Sequence, residues 1–541
     1  MSMVTPFQID NRPPPKRLGV LKGFTLGGSK NTKDSRAPKR QLLRRLWPWM
    51  VVGIALLVAW FTGQPLLALA LPMLIVIGWA FVALPFDTVL PLGMITLLIF
   101  NSAATLPHDG FRWFWPPDLV GKVIFKNLPL KFSPADMIFA VLLIRALITI
   151  RLSDVGTGGG IERRPMRPYA QACVFSAGAV LLWTVYGIGA GGSVQNMLWQ
   201  VRALFWLPCF ALAAGVAAAT PNGVKKIKTA LIFSAIFKSI EAIAFKFTFT
   251  FHPGDFQYVG GKALQPKEPP IYATTHSDTV LWATVLCILI ADWFETRTKQ
   301  SRNRLFYIGI PLLAAMVINN RRTVYVSVAA GAAFIVSVAQ RNVKKELKRL
   351  LSLLWPLIIL YVGIGLVSSS QSVVFKPVRM IQSVVVQDDA SSDTRDIENG
   401  NLLFTMRARP ILGTGFGHPY TELVVAYDVT ASGFANYRFI PHNSFLGIWA
   451  FGGLFFPMFY MMPLVVAIYY GVNTRRRSGS PFLRSSAAWA VCGIIAYLVQ
   501  GWSDIGLQDW TAILCCGAGM GICASLPRFL KTSEASLTAL H

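Results

Sequence analysis

His442 stands in the step Pro441-His442-Asn443-Ser444, where a polar, basic stretch gives way to an apolar run. An imidazole titrates near neutrality and can take a proton from a hydroxyl, so a histidine held at such a boundary is a candidate general base. The same position also suits a helix cap. Arg438 and Asn443 flank it as secondary candidates. Arg321-Arg322 join two apolar runs with almost no connection between them. Guanidinium groups are planar and offer several donors, a geometry that fits phosphate. Asn319-Asn320 add a polar lining just before them; contact with lipid headgroups is the plainer use of such a pair.

Other chemistry-bearing residues are scattered. Arg202, Lys238 and Lys246 fall inside apolar runs, and Glu241 follows Lys238 by one helical turn, so those two can pair. Arg202 and Lys246 sit toward the outer ends of their helices and are candidates to line one cavity. Lys262 follows Gly260-Gly261, and His276 opens an apolar run as His442 does. The glycine-rich run Gly413 to Gly417 lacks the Lys-Ser/Thr of a nucleotide loop and reads as a turn. Asp388, Asp389, Asp393 and Asp396 lack metal-ligand spacing, so neither metal nor other cofactor is expected. All seven cysteines fall in apolar runs, which argues against a disulfide framework or a zinc site.

These residues must be positioned by membrane helices. The chain has 541 residues, of which 54% are hydrophobic and only 14% charged, far fewer charges than a soluble protein carries. Apolar runs of about 17–25 residues recur, long enough to cross a hydrocarbon core. The net charge of +26 does not point to nucleic acid, because the basic residues gather in the N-terminal tail and in short connections. That placement is the one that orients membrane proteins.

The expected class is therefore an all-α polytopic membrane protein of about 14 (12–14) transmembrane helices, with a large periplasmic loop carrying short helices. Residues 1–46 read as a disordered basic cytoplasmic tail without a cleavable signal peptide. Transmembrane helices 1–11 occupy 47–367, the large loop 368–441, helices 12–14 442–527, and a cytoplasmic tail 528–541. One span is expected over 443–470. Both termini then lie inside, and the outer connections near 189–197 and 501–509 carry no Lys or Arg. Within the large loop, Asp393 can cap a helix of 394–409 ended by Pro410, with Arg395, Asn399 and Leu403 on one face. Trp113, Phe114 and Trp115 form an expected interfacial belt in an outer connection.

Three ordered patches carry a resemblance. The stretch PHNSFLGIWAFGGLFF (441–456) resembles the His-Asn entry into a helix after the large periplasmic loop of O-antigen ligases and O-antigen or exopolysaccharide polymerases. SSDTRDIENGNLLFTMRARPILGTGFGHPY (391–420) is similar to that family's arginine-bearing loop helix and glycine turn, with Arg409 where the turn usually has histidine. INNRRTVYVSVAAGAAF (318–334) resembles its Ser-Arg step. The match covers the C-terminal half, and about fourteen spans exceed the family's usual number.

The resemblance implies a glycosyltransferase of the bacterial inner membrane acting on an undecaprenyl-diphosphate-linked glycan, with no nucleotide or metal. His442 would be the base on the acceptor hydroxyl, Arg322 or Arg321 a diphosphate ligand, and Arg395 a supporting residue. Lys262 stands nearest to a further arginine of the family, and gives a point charge in place of a fork. Partners implied are membrane lipid, a flippase and chain-length regulators, and no nucleic acid. A polymerase, a ligase onto lipid A-core and a protein O-oligosaccharyltransferase differ in the acceptor, which no sequence feature identifies. A transporter of lipid-linked sugar would place its charges at the midplane of interrupted helices, and an export scaffold would tolerate loss of His442.

Overall fold

The computed structural model describes residues 83–100, 134–155, 166–250, 257–259, 262–264, 274, 277–319, 321–339, 341–367, 390–425, 437–503 and 506–538, and the isolated positions 53, 78, 375, 378 and 382. The chain divides into two units, Met1–Val76 and Ile77–His541, and the described helices and strands all lie in the second. The tail at 1–46, the first two expected spans, His276 and the Trp113–Trp115 belt lie outside the described residues.

Helices dominate: α1 (Phe86–Phe100), α2 (Pro134–Val155), α3 (Arg167–Gly189), α4 (Val194–Ala217), α5 (Pro221–Thr250), α6 (Asp278–Thr296), α7 (Lys299–Ile318), α8 (Arg322–Ser337), α9 (Arg341–Val367), α10 (Ala390–Ala408), α11 (Ser444–Gly452), α12 (Phe455–Arg477), α13 (Pro481–Ser503) and α14 (Trp510–Thr538). Six of them are long and apolar enough to cross a membrane: α3, α4, α6, α12, α13 and α14. Helices α1 and α8 are apolar but shorter, about 22–24 Å at the usual rise per residue. Charges interrupt the apolar character of α5, at its start and again at Lys238 and Glu241, and of α7 at its start.

The described residues are all-helical as expected, apart from one short hairpin. Gln257–Val259 and Lys262–Leu264 form an antiparallel hairpin, β1 and β2, with Val259 opposite Lys262. Lys262 thus has a defined backbone place at the start of β2.

The core is built on α4, α6, α13 and α14. Small residues let these helices close up, as membrane helices do in the absence of a hydrophobic drive between them. A methyl group at Gly521 of α14 would collide with the Gly215 backbone nitrogen of α4, so only glycine permits this approach. Outside this core, α3 exposes Val174, Phe175, Leu181, Leu182 and Val185, and α12 exposes Met458, Phe459 and Val465. Contiguous apolar surface of this kind suits lipid. All seven cysteines are free and buried in helices.

The expected span over 443–470 is not one helix. It breaks at Gly452-Gly453, where Gly453 takes a φ of 62°. A continuous helix from Ser444 to Arg477 would be about 50 Å long, too long for a hydrocarbon core of about 30 Å. The chain instead makes α11 a short helix that packs on α10 and the end of α13, and α12 alone is span-length. His442 therefore precedes a short helix and not the span-length helix itself.

One end of the bundle carries an ion-pair clasp. Glu295 of α6 accepts from Arg475 of α12 at 2.6 Å and from Arg484 of α13 at 2.7 Å. Arg475 also donates to the backbone carbonyls of Val338 and Arg484, at 3.2 and 2.9 Å. Beside it Lys228 of α5 meets Asp292 at 2.9 Å. The other end of the same helices carries the candidate site.

Candidate active site

The loop helix α10 starts at Ala390, four residues before the expected start, so Asp393 lies within its first turn and is not the cap. Its inner face is polar yet buried: Glu398, Asn401 and Thr405 are each 5% exposed or less. Each is matched. The Asn401 amide donates to the Val424 carbonyl at 2.7 Å and accepts from Leu423 N–H at 2.9 Å. Thr405 accepts from Thr421 N–H at 2.9 Å. These bonds strap the strip 421–424 along the helix.

Glu398 is turned toward His442. Its carboxylate accepts from the His442 backbone N–H at 3.2 Å and lies 3.1 Å from Nδ1 of the ring. A carboxylate oxygen in this place accepts from Nδ1–H, which favours the tautomer with its proton there. The His442 side chain is 46% exposed and that of Glu398 only 6%. The ring is thus held by a buried carboxylate while half exposed, the arrangement that orients a histidine base. The helix cap expected as an alternative role for His442 belongs to its neighbour: Asn443 is the N-cap of α11, accepting from Leu446 N–H at 3.2 Å.

Tyr420 is buried beside this pair. Burial, then the carboxylates of Glu398 and Glu422, push its phenol well above the ordinary range, so it stays protonated. Arg438 stands 3.8 Å from Glu422, and the Tyr437 hydroxyl donates to the same carboxylate at 2.6 Å. Arg395 lies one turn before Glu398, on the same side of α10.

The glycine turn does more than reverse the chain. Gly413, Gly415 and Gly417 all have positive φ, and Gly415 lies so close to α3 that a methyl group would meet the Gly187 Cα at 2.5 Å. The turn donates from Thr414 and Gly415 N–H to the Ala450 and Phe451 carbonyls, at 3.1 and 2.8 Å. Those carbonyls end α11 and lack partners within it. From α4, the fully buried Gln200 accepts from Gly417 N–H at 2.5 Å and donates to the carbonyls of His418 and Phe439, at 3.2 and 2.9 Å. One side chain thereby fixes both the turn and the segment that leads into His442.

Further bonds carry this end of the bundle toward the arginine pair. Gln508 donates to the Gln200 carbonyl at 3.2 Å, and Thr279 at the start of α6 donates to Gln500 of α13 at 3.2 Å. The Thr274 N–H donates to the side chain of Asn319, the C-cap of α7, at 2.9 Å. Arg321 follows as the N-cap of α8, and Arg322 opens that helix, both partly buried. Arg202 is engaged by Asp136 at 3.3 Å, a carboxylate that also accepts from Trp206 at 2.8 Å. Lys238 and Glu241 pair at 2.9 Å, as their spacing predicts.

Six helices of membrane length, with a histidine–carboxylate pair at one end of the bundle and an arginine clasp at the other, fit a multi-pass membrane protein. Residues 307–461 match the family model described as O-antigen ligase. The match encloses Arg321, Arg322, Arg395, Glu398 and His442, and supports the resemblance to O-antigen ligases and polymerases. No curated protein matches the chain.

Proposed function

We propose that the protein is a membrane glycosyltransferase that joins undecaprenyl-diphosphate-linked oligosaccharide repeats into O-antigen or exopolysaccharide. The observation that carries this reading is the grip of Glu398 on Nδ1 and the backbone of His442, within the O-antigen ligase match. Nε2 of His442 takes the proton of the acceptor hydroxyl as its oxygen attacks the anomeric carbon. The bond from that carbon to the lipid diphosphate breaks, and the diphosphate leaves with the electron pair. A single displacement inverts the carbon. Arg321 and Arg322, with Arg395 beside Glu398, stabilise the charge that develops on the leaving group.

In this reading the site faces the periplasm and the Glu295 clasp faces the cytoplasm. The support is the gathering of Lys228, Arg475 and Arg484 at the end away from His442. The fourteen-helix layout, the periplasmic loop at 368–441, cytoplasmic termini in the inner membrane, and a flippase and chain-length regulator as partners belong to the same proposal. Lys262 and His276 remain candidate contacts to substrate, and Arg202 acts there only if substrate displaces Asp136.

The second reading, transfer of finished glycan to lipid A-core or protein, is favoured by the family name of the matching domain. Complementing a null strain with His442→Ala, at normal membrane level, tests both. Loss of polymer with single lipid-linked repeats accumulating supports polymerase, and full-length polymer left on its lipid carrier supports ligase. Normal glycan in this strain removes His442 from the chemistry and brings forward a transporter of lipid-linked sugar.

A further inference from the structure

The end of α10 and the turn after it leave apolar side chains bare. The exposed face of this helix changes character along its length. It begins with Asp393, Asp396 and Gly400 and ends with Leu403, Phe404 and Arg407. Beyond it Arg409, Ile411 and Leu412 are exposed, Ile411 at 58% and Leu412 at 48%. Large apolar groups gathered on a surface call for a cover.

Hydrogen bonds set the depth of this turn. Trp183 of α3 donates to the Leu412 carbonyl at 3.0 Å. Trp183 lies about 9 Å short of the end of α3 at Gly189. Helical side chains lean toward the N-terminus, away from that end, so the turn lies beside the span and not above it. Leu181, Leu182 and Val185, close to Trp183 in the sequence, are exposed along the same helix. On its other side the turn meets α12. The Leu454 N–H donates to the Pro410 carbonyl at 3.0 Å, and a methyl group at Gly453 would strike the Ile411 carbonyl. Exposed Leu454, Phe455, Met458 and Phe459 then carry the apolar surface along α12.

We propose that the turn Pro410–Leu412 and the last turn of α10 are seated in the bilayer leaflet on the side of His442. Ile411 and Leu412 lie among acyl chains, at the depth where interfacial helices bury their apolar faces. Arg407 and Arg409 reach phospholipid phosphates, as long cationic side chains do from a membrane edge. The acidic start of α10, at Asp393 and Asp396, stays in water. The occupant is phospholipid because the apolar patch is continuous with the outward faces of two span-length helices, which lipid already covers. The anchor fixes the height of Glu398, and through it His442, at the bilayer surface. It rests on the membrane spans and is independent of the transfer reaction.

The test is spin labelling of the purified full-length protein in nanodiscs of phosphatidylcholine and phosphatidylglycerol, with no lipid-linked glycan present. All seven native cysteines are buried, so an introduced cysteine takes the label selectively. At Ile411→Cys the label collides with oxygen and loses its collisions with a water-soluble nickel chelate, as at Met458→Cys on α12. At Asp396→Cys the order is reversed. Arg407→Gln combined with Arg409→Gln shifts the label at 411 toward nickel, and His442→Ala leaves it in place. A label at 411 that reads as the one at 396 does overturns the anchor. So does dipolar broadening between labels on two molecules, which makes the cover a second copy. Shielding that arises only once lipid-linked glycan is added overturns it too, in favour of a substrate contact. Should Ile411→Cys fail to fold, Leu412→Cys decides by the same comparison.

Discussion

Glu295 and Glu398 are both buried glutamates on helices, and they are used in opposite ways. Glu295 is gripped by two guanidinium groups that are themselves buried or nearly so, at 3% and 13% exposure. Its charge is fully answered, and it ties α6, α12 and α13 at one end of the bundle. Glu398 answers a single, half-exposed imidazole. It fixes that ring through Nδ1, on a side chain that is half exposed. The difference separates a carboxylate that holds helices together from one that holds a base in place.

Substitutions can sharpen this contrast. Glu398→Gln should cut glycan transfer by about 10²–10⁴-fold, since the amide no longer selects the Nδ1–H tautomer or supports the imidazolium. Its melting temperature should barely move, as read in nanodiscs beside the activity. Glu295→Ala should do the reverse, costing about 3–5 kcal/mol by leaving two arginines unanswered. The folded fraction that remains should transfer glycan at the normal rate per molecule. A large activity loss per folded Glu295→Ala molecule would erase the distinction between the two ends.

Gly415→Ala should come next, at about 1–3 kcal/mol of stability. Here φ is 85° and the added methyl collides with Gly187, so calorimetry should show a lower melting point. The smallest effect expected is for Arg322→Lys, which keeps the charge and loses the fork. Its KM for the lipid-linked donor should rise about tenfold with little change in kcat.

Much of the helical plan was legible because apolar runs report helices directly. The Lys238–Glu241 pair was legible for the same local reason, one turn of spacing. The helix bearing Arg395 was legible to within a few residues, although its start was set by Ala390 and not by a cap at Asp393. What failed was non-local. Glu398 lies 44 residues from His442, and nothing in the sequence pairs them. The available signal was its place one turn after Arg395; the face singled out, Arg395, Asn399 and Leu403, is not the buried one, since Leu403 is exposed. Asp136 on Arg202 was missed likewise, because its partner comes from a different helix. The break at Gly452-Gly453 was visible as residues, but the apolar character on both sides concealed it. The glycine turn was recognised as a turn; its second task, answering the open carbonyls of α11, depended on contacts no spacing reveals.

The central claim is that Glu398 works through His442, and a double-mutant cycle tests it most directly. Transfer rates would be measured for His442→Ala, Glu398→Gln and the combination, with purified protein and lipid-linked donor. If the two residues act as a unit, the double variant is no slower than His442→Ala alone. If their losses multiply, Glu398 acts independently of the imidazole, and the base assignment built on their contact is contradicted.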